Sequence, residues 1–166
     1  MIYPTVVDVI RRCGEAMDSV VIPGLPEFKD RSSATTIRHL LNFVADRIDI
    51  EGQLLFDEIA RVHGLLAEIG DHFGARPGQD SEIEDWLVDS RSTLERRRDP
   101  SVYPALPTLA EEVNHLRDLI CRALAILKSE QGSGATRDKI RAYISWQIKQ
   151  EAKLIEPAFR SRGPRR

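Results

Sequence analysis

Two carboxylates stand where a helix is otherwise apolar. Glu51 lies three residues after Ile48 and four before Leu55, and Glu58 lies three after Leu55 and four before Val62, so both share a face with a stripe of aliphatic side chains. Further along, Glu112-Val113-Asn114-His115 reads as Glu-x-x-His, and Gln147 and Glu151 fall among the helical spacings that carry Ile140 and Ile144. Inward glutamates from two helices plus Glu-x-x-His from others are how ferritin-like bundles hold two iron or manganese ions, because bridging carboxylates balance the metal charge and imidazoles complete the coordination. Glu51, Glu58, Glu112, His115 and Glu151 therefore form the candidate metal set, for a carboxylate-bridged oxidoreductase. The pattern is incomplete, since such sites use two Glu-x-x-His pairs and here His63 follows Glu58 by five residues. The competing expectation is that Glu51 and Glu151 pair with arginines such as Arg47, or sit at the stripe edge with their heads in water.

Other chemistry finds less footing. None of His39, His63, His72 and His115 pairs with another at the i, i+4 spacing of a metal-binding helix face. No Gly-x-Ser-x-Gly occurs, and Gly132-Ser133-Gly134 lacks the Gly-Lys-Ser/Thr ending of a phosphate loop. Cys13 and Cys121 form no CxxC pair and fall on apolar stripes, which predicts buried, reduced thiols and a cytoplasmic protein. No catalytic residue and no organic cofactor site is expected.

The elements that position these groups are helices. Val6, Ile10, Cys13, Met17 and Val20 mark a first helix starting near Pro4-Thr5 and ended by Pro23, Gly24 and Pro26. Ser32-Ser33 are suitable N-caps for a second. Its stripe runs Ile37, Leu41, Val44, Ile48, Leu55, Ile59, Val62, Leu66 and Ile69 without a proline, predicting one long helix over about 33–70, roughly 50 Å if unbroken, with Gly52 as the expected kink. Glycine and proline between Gly70 and Pro77 predict a stop there. A weaker helix over 80–98 follows, with Ile83, Trp86, Leu87, Ser90 and Leu94 to bury. Thr108 and Glu111 form a capping-box pattern before the stripe Leu109, Val113, Leu116, Ile120, Ala123 and Leu127. A last helix is predicted from about Thr136, carrying Ile140, Ile144, Ile148 and Ile155 towards Pro157. The fold class is all-α, an antiparallel bundle of four main helices plus one weaker helix, in a single domain over 1–159 followed by a basic tail over 160–166.

Composition agrees. The 166 residues suit one domain, aromatics are sparse at 6%, and no run of apolar residues is long enough to span a membrane. A net charge of −2 provides no field to recruit nucleic acid. The total hides a division: the tail carries four arginines, so residues 1–159 sum to −6 (−2 minus 4).

The stretch from Pro4 to Ile69 resembles the N-terminal part of a family of small uncharacterised bacterial helical proteins, often encoded beside aminoglycoside-phosphotransferase-like and acyl-CoA-dehydrogenase-like enzymes. The shared features are Val21-Ile22-Pro23-Gly24-Leu25 at a helix end, a linker with Phe28, and a long helix with Arg47, Glu51 and a leucine-rich second half that includes Glu58. That resemblance implies an accessory role beside an enzyme partner and carries over no catalytic residue. The expected function is a helical interaction protein, homodimeric because the long helix exceeds what one bundle covers. The alternatives are the metal oxidoreductase and a bundle that binds a small ligand in its core.

Overall fold

The computed structural model describes residues 4–75, 80–96, 104–128 and 132–160, with side chains to residue 155. It is an all-α helical bundle. Helix α1 (Val6–Ala16) starts on a capping box that the sequence reading passed over: the Asp8 amide donates to Thr5 Oγ1 at 3.1 Å, and the Thr5 amide and hydroxyl donate to Asp8 Oδ2 at 3.0 and 2.7 Å. These bonds hold the Asp8 carboxyl below its usual range, led by the Thr5 hydroxyl. The chain then widens to π geometry over Met17–Val21, where the Ile22 amide reaches back five residues to Met17. Pro23 is the physical cause, because it offers no N–H to Ser19 and its ring crowds that carbonyl. One further turn, α2 (Ile22–Gly24), ends at an extended Leu25.

Helix α3 (Phe28–Gly74) is the long helix, 47 residues, and its assignment runs unbroken through Gly52. It begins earlier than the Ser32-Ser33 cap predicts. The Arg31 amide already donates to Glu27, and Ser33 and Thr35 turn their hydroxyls back to the carbonyls of Lys29 and Arg31. Pro26 clears the preceding element, so the helix starts at the first residues free to adopt it. It also passes Gly70 and ends at Gly74; no left-handed glycine closes it, since Gly132 is the one described residue with positive φ, +93°.

Helix α4 (Ser81–Glu95) is shorter than the expected 80–98. Helix α5 (Leu106–Lys128) starts ahead of Thr108, so the Thr108–Glu111 pattern is not its cap. Pro107 fits the first turn, where its missing N–H costs nothing. Helix α6 (Gly134–Arg160) begins directly after Ser133, whose buried hydroxyl donates to the Leu127 carbonyl at 3.0 Å and satisfies one orphan acceptor at the end of α5. No described helix is long and apolar enough to cross a membrane.

Contacts divide the chain into two compact units, Gln53–Ile148 and Met1–Gly52 with Lys149–Arg166. The first holds the core. Ile59, Val62, Leu66, Ile69 and Phe73 of α3 and Leu109, Val113, Leu116, Ile120, Ala123 and Leu127 of α5 are buried at alternating spacings of three and four, with Ile83 and Trp86 of α4 and Ile140 and Tyr143 of α6. Trp86 is fully enclosed, edge-on to Phe73 at 5.0 Å, and its indole N–H donates to the Leu119 carbonyl at 2.8 Å. That single side chain anchors the weakest helix by area and by hydrogen bond together.

The other unit buries only Val7, Ala34 and Ala45 among its described apolar side chains. The long stripe of α3 is thus a core only in its second half; Ile37, Val44 and Ile48 are 51, 42 and 47% exposed. Both thiols are exposed, which corrects the expectation that Cys13 and Cys121 are buried. On α6 the expected stripe also misses its phase. Four-residue steps from Ile140 drift around the helix, leaving Ile148 exposed while Tyr143, three residues from Ile140, is buried.

Candidate functional site

The polar centre of the larger unit is Glu58, 6% exposed and one turn before the fully buried Val62. Its carboxylate is met from two other helices. Arg117 of α5 donates from Nε to Oε1 at 2.7 Å and from Nη2 to Oε2 at 2.9 Å, and Tyr143 of α6 donates its hydroxyl to Oε1 at 2.7 Å. A charge taken from water is tolerated when a fork of two guanidinium bonds and a hydroxyl replace its hydration. Burial first, then the bond to Glu58, pushes the Tyr143 phenol well above its ordinary range, because a phenolate there would lose water and face a carboxylate. Trp146 stacks near Tyr143 with ring centroids 6.4 Å apart, and the Arg61 guanidinium lies 5.0 Å over the Trp146 ring. The result is a layered polar knot in which each charge faces an opposite charge, a hydroxyl or a π-face.

The remaining members of the metal set are engaged elsewhere. Glu112 Oε1 lies 4.0 Å from His63 Nε2. His115 Nε2 lies 3.0 Å from Thr93 Oγ1, which is also 2.8 Å from the Asp89 carbonyl. Glu51 takes the Arg47 Nε at 2.7 Å, one turn back on the same helix, and this bond raises the Arg47 guanidinium pKa. Glu151 is half-buried on α6. Among the described residues no three His, Cys, Asp or Glu side chains gather in a way that could hold a metal ion.

Sequence reasoning found Glu58 as an inward carboxylate and missed both of its partners. Arg117 directly follows the buried Leu116, a position that reads as solvated, and Tyr143 was hidden by the four-residue steps of isoleucine beside it. A carboxylate on an apolar stripe was the available signal that an arginine must stand opposite.

In the smaller unit α1 and the π stretch after it are joined to α3 by charge. Arg11 Nη2 lies 2.6 Å from Asp49 and 3.6 Å from Asp46, Arg38 Nε lies 3.3 Å from Asp18, and Gly14 faces Asn42 so closely that an added Cβ would stand 2.8 Å from Asn42 Oδ1. Beside this seam is a cavity of about 330 Å³ lined by Arg11, Glu15, Asp18, Asn42 and Asp46. A second cavity, about 550 Å³, lies between α3 and α4 over Gly70 and Gly74, walled by Leu66, Leu87 and Leu94. Comparison with protein-family models, with curated proteins and with solved structures gives no match.

Proposed function

We propose that the chain is a helical interaction protein whose smaller unit is its docking element and whose first partner is a second copy of itself. One observation carries this reading: of the thirteen large apolar side chains exposed among the described residues, ten belong to the smaller unit and three (Val88, Leu106 and Ile148) to the larger. Side chains of this kind offer about 100 Å² each, so ten at roughly half exposure present on the order of 500 Å² of apolar surface. One side of a standard protein interface is about 800 Å², a little over half of it apolar. The exposed apolar area is of the order that one side of an interface covers, and it is concentrated in the smaller unit.

The larger unit serves as the folded platform. Glu58 is met there by Arg117 and Tyr143, and the Trp86 indole by the Leu119 carbonyl. The accessory role implied by the family resemblance is in keeping with a protein that works by association. Sedimentation velocity from 1 to 100 µM tests the proposal. A concentration-dependent dimer is the expected result; a single monomer boundary at tens of micromolar overturns self-association.

A further inference from the structure

We draw no further inference here: the strongest candidate, the cavity of about 550 Å³ between α3 and α4 over Gly70 and Gly74, is floored by a stripe of small residues, and the enclosed polar side chain on its wall, Ser90, already donates its hydroxyl to the Leu87 carbonyl, so nothing in it points to a ligand.

Discussion

Arg117 lays Nε and Nη2 along the two oxygens of Glu58, at 2.7 and 2.9 Å, and this fork joins α5 to α3 across fifty-nine residues of sequence. The Tyr143 hydroxyl closes the same carboxylate from α6. Three helices therefore agree on one register at one side chain: a slip of α3 or α5 leaves a buried charge unpaired, and a slip of α6 removes its third donor. An ion pair in such a place specifies an arrangement more than it stabilises it.

A double-mutant cycle separates the two effects. Arg117→Leu leaves the Glu58 carboxylate buried with a single donor and should destabilise by about 2 to 3 kcal/mol, below the range for fully buried pairs because Arg117 is one-third exposed. Glu58→Leu combined with Arg117→Leu removes both charges and should recover part of that loss, the remainder being the Tyr143 hydroxyl left without its acceptor. Urea midpoints give all four corners, and additive losses would show that the two residues do not act as a pair.

Stability should differ between the units. Among the described residues the smaller one buries three modest apolar side chains, whereas seventeen make the core of the larger. Amides of α1 and of α3 ahead of Gly52 should exchange through local opening at micromolar protein, while those of Leu116 to Ala123 exchange only on global unfolding. Glycine is the poorest helix former short of proline, so opening of α3 should stop near Gly52, where the units divide. Site-resolved hydrogen exchange checks the boundary, and uniform protection along α3 would contradict it.

The same asymmetry fixes what core truncation costs. Leu66→Ala removes a fully buried side chain and should cost about 2 to 5 kcal/mol, while Ile37→Ala on the same helix should stay within about 0.5 kcal/mol for the isolated chain. Comparable losses, measured by urea unfolding of the monomer, would place both halves of α3 in one core.

Most of the helices were legible because three- and four-residue spacings survive without any knowledge of neighbours. The stripe from Ile59 to Ile69 and that from Leu109 to Leu127 are of this kind, whereas Phe73 falls in the stretch that reads as a loop. What spacing lacks is a partner. Ile37, Val44 and Ile48 continue the α3 stripe in sequence but meet no core, because nothing in a local pattern says whether another helix lies alongside. Caps were not legible. Thr5 caps α1, but Ser33 and Thr108 sit inside helices that begin earlier, since Pro26 and Pro107 set those starts more strongly than a hydroxyl does. The carboxylates showed the same limit. Periodicity turned Glu58 inward, and only three-dimensional contact shows that an arginine and a phenol meet it.

Tyr143 supplies a pH signature for the knot. Burial and the Glu58 carboxylate raise its pKa in the folded chain, while an unfolded tyrosine ionises near 10. A phenol whose folded pKa is raised contributes stability that is fully present below the unfolded value. Above it the unfolded chain releases a proton that the folded chain retains, so stability falls with rising pH. The urea midpoint of wild type should therefore drop between pH 9.5 and 11 more steeply than that of Tyr143→Phe, which cannot ionise there. Below pH 9 the order depends on the hydroxyl alone, and Tyr143→Phe should be less stable by about 1.5 to 3 kcal/mol, having lost one bond to a charged acceptor. Absorbance at 295 nm gives an independent reading, because Tyr143 should contribute no tyrosinate signal until the chain unfolds. Ionisation of Tyr143 near pH 10 with the fold intact would show the hydroxyl to be in water and away from Glu58.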